Sequence, residues 1–140
     1  MPVTPYLFFD GRCEEALAFY EKALGAKIGM MMRFKDAPES PPSEGCADTD
    51  NAKLADKIMH AAFVVSGSTV MASDGFARGE TRFAGFSLSI NTQTEAEVDS
   101  FIKALADGGE IRMQPEKTFF AKRFGQVIDR FGIDWLVICE

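Results

Sequence analysis

The chain is poor in the residues that most often carry chemistry. Among 140 residues it has one His, one Trp, two Tyr and three Cys. A single His excludes any metal site built on two or more imidazoles. Cys13, Cys46 and Cys139 are odd in number and lack metal-type spacing, so free thiols in a reducing compartment are expected rather than a disulfide framework or a zinc site. No apolar run approaches the roughly 20 residues that span a bilayer. The first residues, MPVTPYLFFD, show neither a basic n-region nor a cleavage site, so no signal peptide is expected. Basic residues are scattered and the net charge is -6. That argues against a nucleic-acid backbone or an anionic membrane as partner, because both reward clustered Lys and Arg. A cytoplasmic location follows as the expectation. No G-x-S-x-G elbow is available to a serine nucleophile, so a Ser-His-Asp triad is unsupported.

What is present reads as an ordinary soluble globular chain, 46% apolar and 26% charged. Thirteen Phe promise a core or cavity rich in plain aromatic surface. The length suits one compact domain or two intimate half-domains.

One stretch organises the rest. Tyr6-Leu7-Phe8-Phe9, entered through Pro5, reads as a short strand. Cys13 to Leu24 then carries Ala16, Leu17, Tyr20, Ala23 and Leu24 on one helical face. Glu14 and Glu15 stand in the first turn, where the helix dipole favours them, and Gly25 is placed as a left-handed C-terminal stop. Ala26 to Phe34 predicts a second strand. Residues 35–51 hold three Pro and many small polar residues, and read as a mobile loop that serves either as a lid or as a surface insertion. Lys57 to Val65, a Ser66-Gly67-Ser68 turn, and Thr69 to Ser73 predict a hairpin.

The same grammar returns. Gly85 to Ile90 predicts a strand. Thr94 and Glu97 have the spacing of a capping box, and Val98, Phe101, Ile102 and Leu105 form an apolar stripe. Asp107-Gly108-Gly109 stops that helix. Strands are predicted over Glu110 to Gln114, Phe119 to Ile128 and Ile133 to Cys139, the last two joined by a turn at residues 129–132. The chain therefore reads as α+β, with two βαβββ modules at 1–75 and 76–140. The expected assembly is a curved, mixed eight-stranded sheet around a cleft, with the helices outside. One-sided half-sheets need a partner surface, which a second chain or swapped modules could also supply.

The doubled pattern, carried by PYLFFDG, EEALAFYEKALGA, HAAFVVSGSTVMASDG, GFSLSIN and TFFAKRFGQVIDRFGIDW, resembles the vicinal oxygen chelate superfamily of glyoxalases, bleomycin-resistance proteins and dioxygenases. It is most similar to the PhnB-like branch, some of whose members carry a 3-demethylubiquinone methyltransferase label. A methyltransferase of the doubly wound kind needs a Gly-rich loop and alternating parallel βα units, and the sequence offers neither. Metal-using members of the superfamily hold a divalent ion that acts as a Lewis acid. Carried across by register, their ligand positions fall near Pro5, Met71, Gly85 and Leu136, none of which is a hard ligand. The resemblance thus implies a small-molecule-binding protein without the catalytic metal, and a homodimer. The alternative is a metal-dependent lyase, isomerase or oxygenase acting on a small oxygenated or phosphonate-like compound.

His60 and Asp74 are the candidate catalytic residues. His60 alone is set to titrate near neutral pH; it reads either as a histidine hydrogen-bonded at a module seam, the preferred reading, or as a base or ligand. Asp74, before Gly75, reads either as a turn residue, again preferred, or as a carboxylate at the cleft mouth. Candidate ligand contacts are Arg33 and Arg82, which could clamp an anion together with Lys122 and Arg123, and Phe8, Phe120 and Trp135, with Phe119, as apolar walls. Cys13 stands near a helix N-terminus, which lowers a thiol pKa, but no base is placed beside it. No cofactor is expected.

Overall fold

The structure, a computed structural model, describes residues 3–36, 55–75 and 82–140. The chain divides into two compact units, Met1–Thr81 and Arg82–Glu140. Most of the loop expected at 35–51, with Cys46, lies outside the described residues, as does most of the connector between the modules.

In the first unit, β1 (Tyr6–Phe8) leads to α1 (Cys13–Leu24), β2 (Lys27–Arg33), a single 3-10 turn (Phe34–Asp36), β3 (Ile58–Val65) and β4 (Ser68–Ser73). The sheet order is β1-β4-β3-β2, with β1 parallel to β4 and the other pairs antiparallel. Ser66 and Gly67 both have positive φ, 48° and 84°. That is the twist which a two-residue hairpin requires, so the β3–β4 turn is tight. Cys13, Ala16, Leu17, Tyr20 and Leu24 are the buried residues of α1. Tyr20 stacks on Phe63 of β3 with ring centroids 6.0 Å apart. Side chains alternate across a strand, so Phe63, Ala61, Ala72 and Leu7 lie on the helix-covered face. His60, Ala62, Met71, Tyr6 and Phe8 lie on the other. Gly25 stops α1 at φ 67°, as its position predicts.

The second unit repeats the plan. It runs β5 (Leu88–Asn91), α2 (Glu95–Leu105), β6 (Glu110–Glu116), β7 (Arg123–Ile128) and β8 (Asp134–Cys139), in the order β5-β8-β7-β6 with β5 parallel to β8. The capping box at Thr94 is formed in both directions: Thr94 Oγ1 accepts from the Glu97 N–H, and the Glu97 carboxylate accepts from the Thr94 N–H at 3.0 Å. Val98, Ile102 and Leu105 are buried on the sheet. A Cβ on Gly125 would stand 2.8 Å from Cγ1 of Ile102, so α2 seats directly over β7 because that position lacks a side chain.

The α+β class and the doubled βαβββ plan are as the sequence predicts, with four strands hydrogen-bonded in each module. Two strand starts differ by more than one residue. β5 begins at Leu88 rather than Gly85, because Gly85 has φ 80° and stands outside the extended region. β7 begins at Arg123 rather than Phe119. Thr118 turns the chain there, its N–H donating to the Ala121 carbonyl and its Oγ1 accepting from the Phe120 N–H.

Candidate functional site

On the open face of the first sheet, register sets residues of four strands side by side. Met30 pairs with Ala62, Ala62 with Met71, and Met71 with Tyr6. In the adjoining row Met32 pairs with His60, and Ser73 pairs with Phe8. Continuing the β3–β4 register by one residue sets His60 beside Ser73. Tyr6 reaches diagonally between the rows, and its hydroxyl lies 2.9 Å from His60 Nδ1. The Tyr6 ring stands 5.0 Å from that of Phe8 and 5.6 Å from the imidazole. Phe8 is 56% exposed, Met30 41% and Tyr6 39%, so this is accessible aromatic and thioether surface. Burial raises the Tyr6 phenol above its ordinary pKa, against a hydrogen bond with Ser73 and with a further push from Cys13.

Asp74 has a different task. Its Oδ1 accepts from the N–H of Gly11 (2.8 Å) and of Cys13 (2.7 Å), and its Oδ2 from the N–H of Ile58 (2.7 Å). Its own N–H donates to the Ile58 carbonyl. Arg12, at the N-cap of α1, makes no side-chain capping bond. A carboxylate 61 residues downstream therefore supplies the acceptor that the helix start requires. Asp74 is buried with both oxygens occupied in a remote cap that neither the turn reading nor the cleft-mouth reading includes.

The other candidates separate. Arg33 donates to Glu14 and to the Asp56 carbonyl, so its guanidinium already ties β2 to α1 and to the residues before β3. The hydrogen bond to Glu14 raises its pKa further. Arg82 is exposed at the start of the second unit. Arg123 is paired with Asp99 at 2.7 Å. Phe120 is 49% exposed and meets Phe119 and Phe124 edge-on, giving the second unit its own aromatic cluster. Trp135 is no ligand wall. It pairs with Val127, on the face that α2 covers, is 2% exposed, and donates its indole N–H to Asp129 Oδ2 at 2.8 Å. Cys13 also corrects expectation. Burial, with Asp74 and Glu14 adding to it, pushes the thiol pKa far up, overriding the helix N-terminus.

The donor set can be tested against a divalent ion directly. On the first and last strands of each module, the residues on the open faces are Tyr6, Phe8, Thr69, Met71 and Ser73, and then Ser89, Asn91, Asp134, Leu136 and Ile138. The facing residues on the first strands are thus Tyr6 and Ser89, rather than Pro5 and Gly85. Asp134 is the one carboxylate among them, and Gln126 Nε2 donates to both its oxygens at 2.8 and 3.1 Å. Among the described residues no three His, Cys, Asp or Glu side chains converge on a point. These residues do not fit a hard divalent ion.

The pairing of Tyr6 with His60, the methionine rows and the Asp129–Trp135 contact are not legible in the sequence. Alternation about Leu7 could have placed Tyr6 and Phe8 on one face. The 54-residue reach from Tyr6 to His60 needed the strand order β1-β4-β3.

Two βαβββ units of this topology define the class to which the chain belongs. The model of the family described as 3-demethylubiquinone-9 3-methyltransferase matches residues 1–138, and the chain belongs to that family. Protein PA1353 from Pseudomonas aeruginosa is similar over 100% of this chain and 98% of its own, at 38% identity and a TM-score of 0.81. Protein YjdN of Escherichia coli is 34% identical over 138 residues, which cover 98% of this chain and 94% of YjdN. The PhnB protein from Bacillus cereus matches over 100% of both chains, at 27% identity and a TM-score of 0.76. A glyoxalase/bleomycin resistance protein/dioxygenase family enzyme from Burkholderia phytofirmans shares the fold at a TM-score of 0.57 and 15% identity.

Proposed function

We propose that this chain is a small-molecule-binding protein whose ligand lies on the open face of the first sheet, and that it works without the divalent metal of its metal-using fold relatives. The observation that carries the reading is the exposed Tyr6, Phe8 and Met30, with half-buried Met71 beside Tyr6, around one polar handle, the Tyr6–His60 pair. Apolar surface with a few placed polar groups is the usual make-up of a ligand site. Methionine adds surface that adapts to shape. The donor chemistry of the open faces supports the metal-free part. The methyltransferase activity in the family's description is not carried over, because each described sheet has one parallel pair and is not doubly wound.

A second reading has one observation behind it: Tyr6 orients the imidazole of His60, as a partner of a general base would. In that reading the protein is an enzyme acting on a small oxygenated compound with His60 as base. Asp74 is left out of it, since both its oxygens are taken. A homodimer, a module boundary near residue 75 and a cytoplasmic location complete the proposal. Sedimentation at micromolar concentration giving a mass near 15.4 kDa would remove the homodimer.

A thermal-shift screen against divalent metals and small organic compounds tests the reading. A ligand that binds only the folded form raises the melting temperature with its concentration. Organic compounds alone should shift the protein, and elemental analysis should find no stoichiometric divalent metal. A tightly held divalent ion would overturn the metal-free reading. Turnover of a shifting compound, lost in His60→Ala, would favour the enzyme.

A further inference from the structure

Resting on the reading above, the class of ligand can be narrowed by what the open face offers. None of Met30, Ala62, Met71, Tyr6, Met32, Ser73 and Phe8 carries a formal charge, and the nearest cations on β2 stand at its ends: Lys27 beside Val64, and Arg33, held by Glu14. The chain as a whole is negative, at -6. An anion therefore finds no Lys or Arg in these rows. The two exposed rings, 5.0 Å apart and tilted by 33°, present flat π surface at the edge of the sheet.

The polar handle has a direction. With the phenol as donor, His60 Nδ1, 2.9 Å from the Tyr6 hydroxyl, is the acceptor. A neutral imidazole whose Nδ1 accepts carries its proton on Nε2. Among the described residues, Nε2 has no hydrogen-bond partner. In that tautomer, set by a tyrosine on the neighbouring row, Nε2 is a donor that a ligand oxygen can meet.

We infer that the ligand is an uncharged, planar conjugated carbonyl compound, laid against Tyr6, Phe8 and Met71 with its carbonyl oxygen accepting from His60 Nε2–H. Carbonyl, phenol and carboxylate versions of one ring system distinguish this from other ligands. The carbonyl form uses the donor without adding charge. The phenol donates best where the site already donates. The carboxylate brings an uncompensated charge onto an apolar face.

The experiment is calorimetric titration of the full chain with acetylnaphthalene, naphthol and naphthoate, each substituted at the same ring position. Acetylnaphthalene should bind most tightly. His60→Ala should weaken it about tenfold, the effect of one hydrogen bond lost in a buried contact. Phe8→Ala should weaken all three ligands, and Phe8→Leu serves where Phe8→Ala fails to fold. Tyr6→Phe keeps the ring and frees the tautomer, so it should narrow the gap between acetylnaphthalene and naphthol while naphthoate stays weakest. Tightest binding of naphthoate would overturn the uncharged class, and tightest binding of naphthol would overturn the donor assignment. Both results leave the binding reading intact. If none of the three binds while other compounds of the thermal-shift screen do, the inference alone falls. If no organic compound binds at all, the binding reading falls with it.

Discussion

Tyr6 and His60, 54 residues apart in sequence, meet across the intervening β4 through a 2.9 Å hydrogen bond on the open face of the first sheet. Neither the first strand nor the third could form this contact alone. It depends on β4 returning between them, parallel to one and antiparallel to the other. The chain's one His is thereby oriented on a face of rings, methyls, thioethers and the Ser73 hydroxyl. On the helix-covered side the same unit is closed by Tyr20, Phe63 and Phe9, all buried. Packing thus occupies one face of this sheet, and the Tyr6–His60 pair stands on the other.

Asp74→Asn should destabilise the protein without altering a ligand site. Asn keeps one acceptor for Gly11 and Cys13 but turns an NH₂ group toward the Ile58 N–H. Hydrogen bonds to a buried charge are worth about 1.5–3 kcal/mol each, and Asp74→Ala should cost about 3 kcal/mol or more as several are lost together. Urea unfolding checks this as a lower midpoint. Unchanged stability in Asp74→Ala would show that the remote cap carries no weight.

The two glycines that seat the second unit should respond unequally. A Cβ on Gly109 would stand 2.1 Å from the Ile128 carbonyl oxygen, which is backbone and cannot turn aside. A Cβ on Gly125 meets the Ile102 side chain at 2.8 Å, which can shift with α2. Gly125→Ala should cost about 1–3 kcal/mol, the range for overpacking. Gly109→Ala should cost more, and equal melting temperatures for the two variants would contradict this.

The structure also fixes an alkaline limb of stability. Burial holds the Cys13 thiol above its ordinary 9.0 and the Tyr6 phenol above its ordinary 10.0. The unfolded chain releases these protons at the ordinary values, while the folded chain retains them. Below about pH 8 both groups are protonated in both states and add no slope. Above about pH 9 the folded state binds more protons, so stability falls as pH rises, by at most about 1.4 kcal/mol per pH unit for Cys13. Cys13→Ala should flatten the limb that begins near 9, and Tyr6→Phe the one that begins near 10. Denaturation midpoints from pH 7 to 11 read both, and an identical slope in Cys13→Ala would rule out the thiol.

Thr94→Ala should remove half of the capping box and cost about 1 kcal/mol. Glu97→Gln should cost less, since an amide oxygen still accepts from the Thr94 N–H. Thermal unfolding of the two variants gives the order, and a larger loss in Glu97→Gln would place the weight on the helix dipole instead.

Local signals made the modules readable. Gly25 at the end of α1, the Thr94–Glu97 pair before α2 and the Ser66-Gly67 turn each act within a few residues, and each stands as its residue type predicts. The candidate site was less readable because its contacts are made across strands. Trp135 looked like a cleft wall, yet alternation sets it with Val127 and Val137 under α2, and the carboxylate of Asp129 draws its N–H inward. Asp74 looked like a turn residue, but its bonds to Gly11 and Cys13 span more than 60 residues. Met30, Met32 and Met71 carried no signal on their own. They gain meaning only when register lines them up around His60.

The most direct test of where a ligand sits is the methionine methyl spectrum. The chain has seven Met, and those on one sheet report on both faces. Met30, Met32 and Met71 share the face of His60, while Met31 and Met59 alternate to the opposite face and Met113 belongs to the second unit. Titrating methyl-labelled protein with the organic compound that gives the largest thermal shift should move Met30, Met32 and Met71 together with the His60 ring signals, and leave Met31, Met59 and Met113 in place. Shifts confined to Met113, with Met71 and His60 unmoved, would contradict a binding face on the first sheet.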